Sequence, residues 1–201
     1  MTAAAAELFE DRFPLVRRYV DALGSRGLEW GLIGPREVDR LWERHILNSA
    51  ALSQLIAARA EVVDVGSGAG LPGLPLAILR PDLQVVLLEP LLRRSEFLTQ
   101  VVDELGIAGQ VRVVRSRAED HQARYDAVVS RALAPLDRLV TWCTHLRRQD
   151  GLILALKGRT ATDEIRSATP TINAAGLTAT ALTVRAHPSA ETTTVVRLAA
   201  R

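Results

Sequence analysis

Through about the first sixty residues apolar side chains recur every three to four positions, and from Glu61 the pattern changes to short apolar runs separated by helical stretches. The first pattern is that of amphipathic helices; the second is that of buried strands joined by helices. Glu7 to Leu23 reads as a first helix that Pro14 can split, Gly24 to Gly34 as a glycine-rich connection, and Pro35 as the start of a second helix. That helix would place Val38, Leu41, Trp42, His45, Ser49, Leu52 and Ile56 on one side. Residues 1–60 are therefore expected to form an N-terminal helical cap packed on a core made of residues 61–201.

Strands are predicted near Val62–Val65, Gln84–Leu88, Val111–Val114, Tyr125–Ser130 and Leu152–Leu156. Two more, near Ala179–Arg185 and Thr193–Leu198, read as a terminal antiparallel hairpin around His187-Pro188-Ser189. Together they predict an α/β fold: a seven-stranded, mostly parallel sheet with one reversed strand and helices on both faces.

The segment VVDVGSGAGLPG, Val62 to Gly73, joins the first strand to the next helix, and the second strand ends at Glu89. Gly66, Gly68 and Gly70 allow positive φ and close approach of a ligand to the backbone. A carboxylate at the second strand tip can accept hydrogen bonds from both hydroxyls of a ribose. The spacing Gly68-x-Gly70-x-x-Gly73 also fits a dinucleotide fingerprint. Asp64, two residues before the first glycine, weighs against that reading, because it would face a pyrophosphate. It suits S-adenosylmethionine, which carries a sulfonium and an ammonium in place of phosphates. The terminal hairpin likewise suits a Rossmann-like class I S-adenosylmethionine-dependent methyltransferase better than a dehydrogenase.

Composition narrows the class. A chain of 201 residues fits one α/β domain with an added segment, and no apolar run reaches the roughly 18 residues of a membrane span. With no signal pattern read at the N-terminus, a soluble cytoplasmic protein is expected. Cys143 is the only cysteine and the four histidines are scattered, which excludes an internal disulfide and leaves no metal-ligand spacing. The net charge of +2 permits nucleic-acid binding without pointing to it. All basic residues but Lys157 are arginine, which draws attention to the one lysine.

Ligands of open parallel sheets lie beyond the carboxyl ends of the strands. There the chain places Arg115-Ser116-Arg117-Ala118-Glu119-Asp120 after the third strand, Ser130-Arg131-Ala132 after the fourth and Lys157-Gly158 after the fifth. Ala118 offers a small surface to an adenine ring and Glu119 or Asp120 an acceptor, although Asp120 also suits a helix N-cap. The fourth tip lacks the Asn/Asp-Pro-Pro-aromatic pattern used for exocyclic amines, and Cys143, inside the following helix, is misplaced as a nucleophile for pyrimidine carbon. An acceptor with a free lone pair, such as guanine N7, needs positioning and charge balance only. An arginine donating to O6 would orient it. Arg131, Lys157 and Arg117 are the candidates for the acceptor side, each equally suited to a structural ion pair; Arg93 and Arg94 read first as a solvated helix start that can extend this surface, while His45 reads as a packing histidine beside a reaching Arg44.

RHILNS (Arg44–Ser49), DVGSGAGLPGLPLAILRPD (Asp64–Asp82), SRAED (Ser116–Asp120), SRALA (Ser130–Ala134) and ALKG (Ala155–Gly158) together resemble the small-subunit rRNA guanine-N7 methyltransferases, the glucose-inhibited division protein B family. The resemblance covers nearly the whole chain in order. It implies methyl transfer from S-adenosylmethionine to N7 of one guanine in the decoding-region loop of 16S rRNA, a modification whose loss gives low-level streptomycin resistance. It further implies cofactor contacts from Asp64, Gly66, Ser67, Gly68, Gly70, Leu71, Glu89, Ala118, Glu119 and Arg131, with Arg117, Arg131 and Lys157 in catalytic roles. The expected partner is 16S rRNA, within the 30S subunit or an assembly particle, and a monomer suffices. Two departures stand out: Asn48 where many members carry Asp, and Gly31-Leu32-Ile33 where many carry Asn-Leu-Thr. A dinucleotide oxidoreductase and a non-catalytic RNA-binding or cofactor-sensing protein remain as alternatives.

Overall fold

A computed structural model describes residues 2–201. Helices α1 (Thr2–Phe9) and α2 (Phe13–Ala22) are linked by one tight turn, and Pro14 sits in the first turn of α2, where its missing N–H costs little. The helical path runs on through a wide turn at Leu23–Gly27, so the connection expected from Gly24 is confined to the residues just before Pro35. Leu23 and Gly27 are buried, and tertiary packing overrides the weak helical propensity of the glycines.

The second cap segment is not one α-helix. It passes from a tight 3-10 stretch (Pro35–Arg40) to wide π turns (Leu41–Leu47), a short α3 (Asn48–Ala50) and a second 3-10 stretch (Ala51–Leu55). The reason lies in its burial: His45, Ile46 and Leu47 are consecutive and all buried, which a single stripe of a regular helix cannot provide.

The sheet contains β1 (Glu61–Val65), β2 (Gln84–Leu88), β3 (Val111–Val114), β4 (Tyr125–Arg131), β5 (Arg147–Lys157), β6 (Leu177–Val184) and β7 (Thr193–Ala200). Their order is β3-β2-β1-β4-β5-β7-β6, with β7 antiparallel to both of its neighbours and every other pairing parallel. In β1 and β2 four consecutive residues are buried, as covering on both faces requires. Helices α4 (Gly73–Leu79) and α5 (Leu92–Leu105) join the cap on one face; α6 (Leu136–Cys143) and α7 (Ala161–Ala174) cover the other.

Strict alternation of strand and helix fails once. Residues 115–124 form a loop between β3 and β4, so the helix N-cap alternative for Asp120 does not apply. That stretch is charged and offers only Ala118 and Ala123 for burial, too little apolar surface to dock a helix.

Cap and sheet share one hydrophobic cluster. Phe9, Tyr19, Leu23, Ile46 and Leu52 belong to the same buried group as Leu74, Leu87, Phe97 and Val129. The cap is therefore expected to unfold together with the sheet. Phe9→Ala should cost about 3–5 kcal/mol. In chemical denaturation of a Trp142→Phe background, which leaves Trp30 and Trp42 of the cap as the only tryptophans, fluorescence and the far-ultraviolet circular dichroism of the whole chain should shift by the same amount and stay coincident. A separate, earlier fluorescence transition would show an independent cap.

Candidate functional site

The glycine loop is held by two buried carboxylates. Asp64 is fully buried in β1, between Leu87 of β2 and Val129 of β4, and its Oδ2 accepts the Gly73 N–H at 2.9 Å. Ser67 Oγ donates to the Asp64 carbonyl at 2.8 Å. Glu89, just past β2, accepts the Gly68 N–H at 2.9 Å through Oε2 and the Leu91 N–H at 3.0 Å through Oε1. The amides of Gly66 and Ser67 both donate to the Leu88 carbonyl. The loop thus folds back over the tip of β2, with φ of +69° at Gly66. A Cβ on Gly66 would collide with Leu133, so the close approach of the β4 loop adds a steric demand to the conformational one.

Burial pushes the Asp64 carboxyl up to about 7, the Gly73 N–H and the nearby Ser67 hydroxyl offset part of the rise, and nearby Glu89 adds to it. Its second oxygen, Oδ1, is buried without a partner among the described residues. An unpartnered anionic oxygen at the base of the loop is suited to a cationic ligand.

Two cavities lie at the carboxyl edge on either side of the β4 tip. The first, about 310 Å³, is walled by Gly66, Leu88, Ala118, Leu133 and Trp142, with Arg117 and Glu119 at its margin. The second, about 490 Å³, is polar, lined by Arg44, Asn48, Arg131, Lys157, Arg159 and Thr192–Thr194 among others. Between them Ala132 holds a φ of +49°, a conformation costly for a residue with a Cβ. Other cavities, near Tyr125 and Gly151, open at the amino ends of the strands, away from the edge where such sheets bind ligands.

Asp64, Ser67, Gly68 and Glu89 line neither cavity and make up the loop and its supports, Gly66 walls the apolar one, and the later strand-tip candidates divide between the two. Arg131 and Lys157 meet in the polar cavity, whereas exposed Arg117 sits with Ala118 and Glu119 at the apolar one. Gly70 and Leu71 are buried and line neither cavity; Leu71 belongs to the core and Gly70 packs against Leu74 and the Tyr19 hydroxyl. Lys157 is a strut: its ammonium donates to the Ala134 carbonyl and to Glu164, each at 2.7 Å, and so ties β5 to the β4 loop and to α7. Arg131 differs, because its Nη1 is buried without a partner among the described residues, and burial lowers its pKa from the usual value. Arg93 lies over the Trp30 ring at 5.6 Å, joining α5 to the cap.

Sequence reasoning overlooked Tyr19, Glu37, Leu133 and Trp142. The Tyr19 hydroxyl donates to the Ala69 carbonyl of the loop at 2.9 Å, so the cap holds the loop from behind. A Tyr on the buried face of α2 was the available signal, since a buried phenol needs a partner. Glu37 pairs with His45 at 2.8 Å and with Arg44 at 3.2 Å. Eight residues of regular α-helix rise about 12 Å, too far for that contact. The shift from 3-10 to π turns at Arg40, whose φ and ψ are −111° and 7°, closes the gap, and no local pattern announces it. Arg44, with Asn48 uncharged, takes its partner from Glu37 instead.

Because the folded Asp64 carboxyl titrates at about 7 and an ordinary one at 3.8, the native cofactor-free protein holds an extra proton between these values. Its stability should therefore fall as pH rises through that window, by on the order of 1.4 kcal/mol for each pH unit crossed. Asp64→Asn should lack this fall, so its Tm should gain on the wild type between pH 5 and pH 8 in thermal melts. Parallel pH profiles would contradict the raised pKa.

Comparison with known proteins accords with this arrangement. Residues 12–192 match the GidB family, described as rRNA small subunit methyltransferase G. The ribosomal RNA small subunit methyltransferase G of Mycolicibacterium paratuberculosis is 59% identical over 167 residues, covering 81% of this chain and 66% of the relative. That of Mycobacterium marinum is 58% identical over 168 residues, covering 81% and 73%. The chain thus spans about two thirds to three quarters of the length of these relatives. Among solved structures, the precorrin-6y C5,15-methyltransferase of Geobacter metallireducens superposes with a TM-score of 0.57 at 14% identity, covering 85% of this chain and 90% of that one, a likeness of fold. With the family matched from the start of α2 to the loop before β7, the chain belongs to the rRNA small subunit methyltransferase G family.

Proposed function

We propose that this protein transfers the methyl group of S-adenosylmethionine to N7 of one guanine in the decoding-region loop of 16S rRNA. The observation that carries the reading is the pairing of two cavities across the β4 tip, an apolar one beside two buried carboxylates and a polar one in which Arg44, Arg131, Lys157 and Arg159 outnumber Glu164 and Glu191. Family membership supports the same reading.

The residues present fit the cofactor. The apolar cavity suits an adenosine, and Glu89 retains lone pairs for ribose hydroxyls beyond the two amides it already accepts. The orphaned Asp64 Oδ1 complements positive charge. When bound, S-adenosylmethionine supplies a methyl group activated by a sulfonium. Gly66, Ser67 and Gly68 shape the loop against which it lies, and Gly70 and Leu71 act from behind as packing. The Gly73 N–H at the start of α4 is already capped by a carboxylate, which disfavours the pyrophosphate of a dinucleotide.

On the acceptor side the protein has to orient a guanine. N7 carries a lone pair and no proton, so attack needs no general base. Arg131 keeps a free N–H for O6, a contact that positions the ring. Lys157 holds the β4 loop in shape, and Arg44 and Arg159 bring further positive charge for the RNA backbone. Arg117, at the cofactor cavity, serves the cofactor or the neighbouring phosphate. With a net charge of only +2, binding to protein-free RNA is expected to be weak, and the substrate to be a 30S subunit or an assembly particle. A cytoplasmic monomer suffices.

Transfer of labelled methyl to 30S subunits from a strain lacking the gene, with the product mapped by the chemical lability of 7-methylguanine, tests the reading. One labelled guanine in the decoding-region loop is expected; cofactor binding without transfer to 30S or to assembly particles would overturn it. Arg131→Ala should lower kcat about 100-fold, leaving the Kd for S-adenosylhomocysteine within a few-fold. Lys157→Ala should lower both kcat and Tm, because it removes a strut. Wild-type rates in both variants would remove these residues from the site.

A further inference from the structure

His45 was expected to be a packing histidine, and its burial fits, but its polar atoms are not those of a satisfied core residue. The ring is 8% exposed, Nε2 lies 2.8 Å from Glu37 Oε2, and Nδ1 is buried with no partner among the described residues. A carboxylate only accepts, so Glu37 requires the proton on Nε2 and leaves Nδ1 as a lone pair. Across the site, Arg131 Nη1 is a buried donor that likewise has no acceptor. Thus an acceptor lacking a donor sits in the cap and a donor lacking an acceptor at the β4 tip, close enough for the Arg131 charge to act on His45, and the two atoms are not bonded to each other. Arg44 and Asn48, on either side of the His45 segment, line the same cavity as Arg131.

We propose that Glu37 and His45 form a positioning pair for Arg131, in which Glu37 sets the His45 tautomer and leaves the unbonded Nδ1 lone pair to accept one N–H of the Arg131 guanidinium when a methyl acceptor enters the polar cavity, the other N–H groups facing that acceptor. This rests on the methyltransferase reading and adds to it a cap-borne device that makes transfer depend on a neutral histidine. The charged and titratable groups around His45 are Glu37 and Arg40 of the 3-10 stretch, Arg44 of its own segment and Arg131 of β4, with Tyr19 on the far side of Arg131. Burial and then Arg131 lower the His45 pKa, Glu37 counteracts them and Arg44 lowers it further, so the ring is neutral at pH 7. Below its pKa, His45 turns from an acceptor for Arg131 into a cation beside it. Transfer should therefore fade as pH drops below the ordinary histidine value of about 6.5.

The test uses the full chain in two ways. In cofactor-free protein, nitrogen NMR of the His45 ring should show the Nε2–H tautomer, and Glu37→Gln should lose that preference, because a glutamine can donate as well as accept. With 30S subunits and saturating S-adenosylmethionine, which separates out the titration of Asp64, Glu37→Gln should lower kcat about tenfold. It should also move the acidic limb to lower pH, since the carboxylate that raises the His45 pKa is gone. His45→Leu should lower kcat at least as far and abolish the limb, and KM for the cofactor should stay within twofold in both. An Nδ1–H tautomer in the wild type, an acidic limb that Glu37→Gln leaves in place, or losses confined to Tm would each overturn the proposal. Absence of methyl transfer by the wild type, with the tautomer as stated, would instead fail the underlying reading of function.

Discussion

The geometry of the site depends on a carboxylate placed where carboxylates are least at ease, inside a parallel sheet. Asp64 stands in the middle strand of the parallel half with apolar neighbours on both sides, and what reconciles it with burial is the Gly73 N–H at the start of α4. That bond determines where the helix begins and hence where the glycine loop must close. Glu89 does the same from the next strand tip by gathering the Gly68 and Leu91 amides. Removing either partner of such a contact leaves a desolvated group unmatched, which is why the loop has one shape.

From this anchored loop the rest of the site follows by contact. Gly66 admits Leu133, which brings the β4 loop against β1 and separates the apolar cavity from the polar one. Lys157 then fixes the far side of that loop through the Ala134 carbonyl, with Glu164 balancing its charge. The strained Ala132 lies between these two points, so the Arg131 side chain beside it is aimed by constraints on both flanks. A methyl acceptor that needs no deprotonation asks little of a site beyond such aiming.

The cap belongs to this machinery as much as to the core. Tyr19 holds the Ala69 carbonyl, Arg93 stacks on Trp30, and Arg44 with Asn48 forms one wall of the polar cavity. Its irregular helices are the price of burying His45, Ile46 and Leu47 together while keeping Glu37 within reach of His45.

What the amino-acid sequence determined by itself was the periodic part. Seven strands, their hairpin ending, the glycine loop and the acids at its two ends were legible because burial on two faces and tight turns impose residue types at fixed spacing. The helix expected between β3 and β4 was not there, since a run of charged residues has no face to bury. Tertiary structure alone decided which tip residues meet. It separated Arg117 from Arg131 and Lys157, turned Lys157 into a strut and left Arg131 with a free donor. It also brought Glu37 to His45 through a non-α stretch and Tyr19 to a loop fifty residues away. Contacts of that kind arise from how elements pack in space, and a one-dimensional pattern records which face of an element is buried but not what it is buried against.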